Sequence, residues 1–394
     1  MQKTVQKTVQ KTLVILGGYG NFGKRIAKYF KDDNDTNNIE LTIYIAGRNL
    51  LKAQGFCLAN NNKKQNKNKQ VNYQPFVIDI YDPQFKSKLS VLNPDILIHT
   101  SGPFQGQTHF VAQTCVELNC HYIDLADDRR FVCDINQLDE QAKQNAVLVV
   151  SGASSVPGVS IAVVANLVKQ FKKINSIDLA IAPGNKAERG RATLKAILSY
   201  TGKAFLIFKD SKWQNGFGWM DSRKVDFKYG IGKRSLANVD VPDLEILPAL
   251  YSEAKTITFQ AGLELNWLHN IMCLMAKMAK MKWIKNWDKY TGLIFYMACK
   301  LESFGSADGA MRIQIKGLSL IDQPQTVTWT LVAKDGIGPF IPTFASIILV
   351  KKILKNQINQ TGATACVNLF SKQEFEKFAL TFGIPAYLDV ENNG

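Results

Sequence analysis

Short apolar runs recur through residues 13–150. Leu13-Val14-Ile15-Leu16 has no polar position, the pattern of a strand covered on both faces of a parallel sheet. Similar runs return at 41–46, 73–80, 95–100, 121–125 and 146–150, and stretches that suit helices at 24–30, 107–119 and 134–145 lie between them. Strands alternating with helices predict a doubly wound parallel sheet.

Beyond about residue 155 apolar and polar positions alternate. This predicts half-exposed, antiparallel strands at 176–182, 224–229, 256–261, 311–316 and 326–333. Helices are expected at 158–171, 189–201, 266–300 with breaks, 341–356 and 371–380. Ser371, followed by Glu374, suits a capping box at the start of the last one. The expected organisation is an unstructured lead-in at 1–12, a dinucleotide-binding domain at 13–155, an α+β substrate and dimerisation domain at 156–340, and a final segment at 341–394 packing back on the first domain.

With 394 residues, 46% of them apolar, two domains can form cores without disulfides or structural metal. The seven cysteines are odd in number and include no Cys-x-x-Cys, as expected of reduced thiols in the cytoplasm. Cys115, Cys120 and His121 have no usual zinc spacing, so no metal is expected. The lead-in has no apolar stretch of the secretory type, and no charge-free run is long enough for a transmembrane helix.

Net charge is +15. Lys3, Lys7 and Lys11 fall in the lead-in, and Lys63, Lys64, Lys67 and Lys69 in an Asn/Lys-rich stretch at 60–70 read as a solvated loop. No nucleic-acid-binding motif accompanies the charge, so no nucleic-acid partner is expected.

The most informative motif joins the first strand to the first helix. Gly18-Tyr19-Gly20-Asn21-Phe22-Gly23 is a G-x-G-x-x-G in the strand–turn–helix setting that dinucleotide binding requires. Gly18 permits the turn, Gly20 admits a pyrophosphate to the backbone, and Gly23 lets helix and strand approach. The fold class is therefore α/β: an N-terminal Rossmann doubly wound parallel sheet plus a C-terminal α+β domain with a largely antiparallel sheet. Gly18, Gly23 and Lys24 nearly spell a Walker A loop, but Arg25 stands where its Ser or Thr belongs.

The end of the second strand selects the cofactor. Gly47-Arg48-Asn49 has a guanidinium where NAD enzymes commonly place an acid, which favours NADP(H) with NAD(H) as the alternative. Asp79, ending the third strand, is expected near the adenine. Ser101-Gly102-Pro103-Phe104 follows the fourth strand and is expected beside the nicotinamide. The candidate cofactor residues are thus Gly18, Tyr19, Gly20, Asn21, Phe22, Gly23, Arg48, Asn49, Asp79, Ser101, Gly102, Pro103 and Phe104. His99, Asp124 and Asp127 are the catalytic candidates, because they lie at or just after strand ends facing the same cleft. His99 lies in an apolar run and also suits a core role.

Together these residues resemble the saccharopine dehydrogenase-like oxidoreductases. The likeness rests on Gly17 to Gly23, Ala46-Gly47-Arg48, Gly102 to Gly106, Tyr122 to Asp128 and Gly152 to Gly158. It continues through Ala182-Pro183-Gly184-Asn185, Asp240 to Asp243, Ala261 to Glu264 and Asp335 to Pro339. It is nearest to members of unknown substrate, and no arginine set for a saccharopine dicarboxylate stands out. The resemblance implies an NAD(P)-binding domain followed by a domain that tends to mediate homodimers.

Residues 266–300 combine apolar positions Trp267, Ile271, Leu274, Met275, Met278 and Met281 with Lys277, Lys280, Lys282 and Lys285, and with Trp283 and Trp287. Packing in a dimer interface or over the cleft is the favoured reading of this amphipathic stretch. Peripheral contact with an anionic membrane is the alternative. The expected function is NADP(H)-dependent hydride transfer to a small or lipid-like substrate, in the cytoplasm or at a membrane surface. A dinucleotide-binding scaffold or membrane-associated protein with little turnover is the other reading.

Overall fold

A computed structural model describes residues 9–32, 39–61 and 71–392. Six strands come first: β1 (Val9–Leu16), β2 (Ile39–Gly47), β3 (Val71–Val77), β4 (Ile96–His99), β5 (His121–Asp124) and β6 (Leu148–Ser151). Eight follow: β7 (Phe171–Ala182), β8 (Ala204–Lys209), β9 (Lys212–Phe217), β10 (Arg223–Asp226), β11 (Lys233–Asn238), β12 (Thr256–Leu263), β13 (Gly309–Ser319) and β14 (Pro324–Ala333). The last two are β15 (Gly362–Ala365) and β16 (Ala386–Asn392).

The first sheet has seven parallel strands in the order β15-β6-β5-β4-β1-β2-β3. Its middle follows directly from the apolar runs. Leu13, Ile15, Ile43, Ile45, Ile96 and Ile98 are all buried, each contributing roughly 1.5–3 kcal/mol of hydrophobic stabilisation. The order reverses at β1, with β4 on one side and β2 on the other, and a doubly wound sheet opens its binding crevice there.

The second sheet runs β10-β11-β12-β7-β13-β14-β16, and β8 and β9 form a hairpin attached through β12. It is antiparallel except where β12 and β7 pair in parallel. Trp329 of β14 is buried beneath the C-terminal helix Lys372–Leu380, its indole N–H donating to Glu376 at 2.6 Å. That helix starts with the capping box expected of Ser371 and Glu374.

Several expectations change. Val9 to Thr12, assigned to the lead-in, extend β1 against β2, and Lys11 pairs with Asp95 at 2.7 Å. Residues 1–8 lie outside the described residues. So do 62–70 of the expected solvated loop, while Asn60 and Asn61 end the helix Leu50–Asn61. The chain after 341 serves both domains: β15 adds the seventh strand to the first sheet, and β16 closes the edge of the second. Both are short or highly exposed strands, so their apolar patterns are weak. The hairpin β8–β9 was likewise unpredicted, being half-exposed on both faces.

Among the described residues no helix is long and apolar enough to cross a membrane.

Candidate functional site

The carboxyl ends of β1, β2 and β4 open onto a cleft of about 800 Å³ between the domains. One wall is the turn after β1. The amides of Gly17 and Gly18 both donate to Ala46 O, which ties this turn to the end of β2, and Gly20 N–H donates to Gly17 O at 2.8 Å. The helix Asn21–Asp32 starts immediately. The amides of Asn21, Phe22 and Gly23 take no acceptor among the described residues, so the positive end of the helix is presented to the cleft.

The three motif glycines divide their work. Gly20 lines the cleft, and Gly18 and Gly23 lie behind it. A Cβ on Gly18 would sit 2.9 Å from Ile15 O, and one on Gly23 would sit 2.4 Å from Gly17 O. These two admit the close crossing of helix and strand; they do not touch the cleft.

Tyr19, Asn21, Phe22, Arg48 and Asp79 also line the cleft. Arg48 is exposed and has no hydrogen-bond or ion-pair partner among the described residues. Asn49 is different: its Oδ1 accepts from Lys52 N–H at 2.9 Å, making it a cap for the helix that follows β2. Asp79 Oδ1 accepts from Tyr81 N–H at 3.2 Å, so it shapes its own turn as well as bordering the cleft. Ser101, Gly102, Pro103 and Phe104 form the far wall, held by Gln107, whose amide donates to Ser101 O at 2.9 Å and to Pro103 O at 2.7 Å.

The three catalytic candidates separate. Asp127 borders the cleft, with Gln105 Nε2 at 3.4 Å, and burial raises its pKa. Asp124 does not reach the cleft. It is fully buried, its Oδ1 accepting from Ala126 N–H, Gly152 N–H and the Ser151 hydroxyl at 2.9, 2.8 and 3.0 Å. That bonding pins the turns after β5 and β6 to each other. Burial pushes its pKa up to about 6.

His99 is also enclosed, against the rings of Phe104 and Tyr122, with Nδ1 3.1 Å from Tyr122 Oη. Burial lowers its pKa to about 3. Neither catalytic candidate His99 nor Asp124 is on the cleft: both are buried behind its wall, in core contacts. The shared reason is that strand-end position puts a residue near the crevice, but side-chain alternation decides whether it faces the crevice or the core.

The opposite wall comes from the second domain and was missed in sequence. Glu188, Arg189, Arg191 and Lys195 line the cleft, together with Phe295 and Glu302. Glu188 bridges the domains, pairing with Lys24 at 2.9 Å and with Arg25. Arg25 in turn lies over the Phe340 ring, 5.0 Å from its centre. Arg189-Gly190-Arg191 at the start of a helix was the available signal, a pair of cations around a flexible N-cap.

Glu264 anchors this wall. Its carboxylate accepts from Asn185 N–H at 2.7 Å and from Ser306 N–H at 2.8 Å, and pairs with Arg234 at 3.3 Å. The second-domain motifs therefore position a loop on the cleft. Asp240 and Asp243 work deeper at the junction: Asp240 pairs with buried Arg129 at 2.7 Å, and Asp243 accepts from the Ser160 hydroxyl.

In the amphipathic segment 266–300, the helix Asn266–Lys280 buries His269, Met272 and Ala276, while Trp267, Ile271, Leu274 and Met281 of the expected apolar face are exposed on this chain and Met275 and Met278 are half-buried. The buried His269 has Nε2 2.7 Å from the Ser222 hydroxyl. No cluster suited to a metal occurs among the described residues.

Comparison with known proteins agrees with this architecture. Residues 13–150 match the family described as saccharopine dehydrogenase NADP binding domain. No curated protein matches the chain. Among solved structures, apo saccharopine dehydrogenase (L-Glu forming) from Saccharomyces cerevisiae is similar at a TM-score of 0.66 and 14% identity, covering 97% of this chain and 100% of that one. An amine dehydrogenase from Mycobacterium smegmatis gives a TM-score of 0.49 at 9% identity, covering 91% of this chain and 94% of that one.

Proposed function

We propose that this protein, whose residues 13–150 match the family described as saccharopine dehydrogenase NADP binding domain, is an NADP(H)-dependent oxidoreductase acting on a small or lipid-like substrate. One observation carries the reading: the glycine turn at Gly17 and Gly20, the helix start at Asn21 and Phe22 with its unpartnered amides, and the free guanidinium of Arg48 border one cleft, opposite a wall from the second domain.

The residues fit a dinucleotide. A Cβ on Gly20 would meet Gly17 O at 3.0 Å, so glycine lets the turn close tightly while its backbone borders the cleft where a pyrophosphate would lie. Arg48 supplies forked donors and charge for a 2′-phosphate. The bound nicotinamide supplies hydride chemistry. The protein binds and orients: Ser101 to Phe104 form a firm wall, and Asp127, with its raised pKa, holds or delivers a proton at its carboxyl.

The test is calorimetric titration with NADPH and NADH, on the natural chain and on Arg48→Ala. Tight NADPH binding that weakens by 10-fold or more in the variant, with NADH unchanged, supports the reading (a charge-assisted contact is worth about 1.5–3 kcal/mol). Binding of neither cofactor by folded protein overturns it. Binding without turnover across a panel of carbonyl and imine substrates leaves the scaffold reading.

A further inference from the structure

The segment 266–304 holds an unusual share of the exposed large apolar side chains: Trp267, Ile271, Leu274, Met281, Trp283, Tyr290, Leu293, Tyr296, Met297 and Phe304. They are ordered. Trp267, Ile271 and Leu274 recur at helical spacing on the outward side of Asn266–Lys280, opposite its buried residues, and exposed Met281 follows as its C-cap. Leu293, Tyr296 and Met297 form a second outward stripe on the helix Thr291–Lys300. Trp283, 70% exposed, lies in the connection between them. Exposed apolar residues scattered singly need no explanation, but two helices with apolar outer stripes do.

The charge around these stripes is one-sided. Lys277, Lys280, Lys282, Lys285, Lys289 and Lys300 stand against Asp288 and Glu302. Lys280 is held over the Phe217 ring, with its ammonium 3.9 Å from the ring centre. Among these lysines no ion pair forms within the described residues. Trp and Tyr beside unpaired Lys suit the boundary of an anionic bilayer, where rings enter the headgroup layer and ammonium groups meet lipid phosphates. A two-fold interface between copies of this chain would bring this positive surface against itself.

We propose that this face docks on an anionic lipid bilayer, lying on the surface without crossing it. Phe295, between the outward residues Leu293 and Tyr296, lines the cleft. Docking therefore brings the cleft to within about one helix diameter, ~10 Å, of the bilayer. That position suits an apolar substrate drawn from the membrane, an extension that rests on the oxidoreductase reading; the docking itself does not.

Co-sedimentation with phosphatidylcholine vesicles, with and without 30% phosphatidylglycerol as an order-of-magnitude anionic fraction (about one lipid in three), tests it on the full chain. Binding is expected to the anionic vesicles and to fall with salt. Lys277→Gln/Lys285→Gln/Lys289→Gln should lower partitioning roughly 100-fold, at about fivefold per lysine. Trp283→Ser/Leu293→Ser should also weaken it, by at least about 10-fold. Thermal melting of each variant checks that it is folded and is independent of both lipid and cofactor. Absence of binding to anionic vesicles by folded protein overturns the proposal. A dimer in sedimentation velocity that Trp283→Ser/Leu293→Ser dissociates also overturns it, assigning the face to a second copy.

Discussion

The Tyr19 hydroxyl accepts a hydrogen bond from the Asn49 amide at 3.0 Å. It thereby joins the glycine turn after β1 to the residue following Arg48. Gly47 makes this closure sterically feasible, because a Cβ there would lie 2.6 Å from the same hydroxyl. The two cleft-facing loops are thus tied together through the Tyr19 hydroxyl, beside Arg48.

Tyr19→Phe should consequently weaken NADPH more than NADH. Loss of one ordinary hydrogen bond, about 0.5–1.5 kcal/mol, corresponds to roughly 2- to 10-fold. Calorimetry with both cofactors reads the ratio. Equal weakening of both would mean that the hydroxyl supports the turn alone.

Gly23→Ala tests the packing side of the motif. The new methyl would lie 2.4 Å from Gly17 O, a backbone atom that cannot swing away. The variant should lose about 1–3 kcal/mol of stability through overpacking and lose detectable NADPH binding. A thermal melt combined with the titration separates the two effects. An unchanged melting temperature would show that the helix shifts without cost.

Buried Asp124 and Asp243 predict how stability depends on pH. Burial raises their pKa values to about 6 and about 7. Both carboxyls therefore bind protons more tightly in the folded chain than in the unfolded one. Their contribution is most favourable below about pH 4, the ordinary unfolded value, and declines as pH rises through the folded values. For Asp124 the decline is on the order of 3 kcal/mol. Asp124→Asn keeps an acceptor oxygen for Ala126, Gly152 and Ser151 and removes the charge. Urea midpoints between pH 4 and 7 should fall less steeply in this variant, and an identical slope would remove Asp124 from the account.

Asp127→Asn should separate chemistry from binding. Because Asp127 borders the cleft and Asp124 does not, NADPH affinity should stay within about 3-fold while turnover on a substrate identified by screening falls roughly 10²–10⁴-fold. Turnover preserved in Asp127→Asn would move the proton donor to another group or to water. The same assay on Asp124→Asn, below its unfolding temperature, should retain turnover.

The six apolar runs, the glycine turn and the change of pattern near residue 155 were enough to predict the parallel sheet, its binding turn and the nature of the second domain. Those features depend on local periodicity and on backbone conformations that few residue types allow. Tertiary structure decided the rest. It turned His99 and Asp124 into the core and left Asp127 at the cleft, because the direction of a side chain at a strand end depends on register and on what packs behind it. It brought Glu188, Arg189 and Arg191 to a site begun at Gly20, an approach created by folding the second domain over the first. In 266–300 it decided which face this chain itself covers: helical periodicity identifies an apolar stripe, but only the surrounding surfaces determine which side of the helix is covered. Here the chain covers His269, Met272 and Ala276 and leaves Trp267, Ile271 and Leu274 outward.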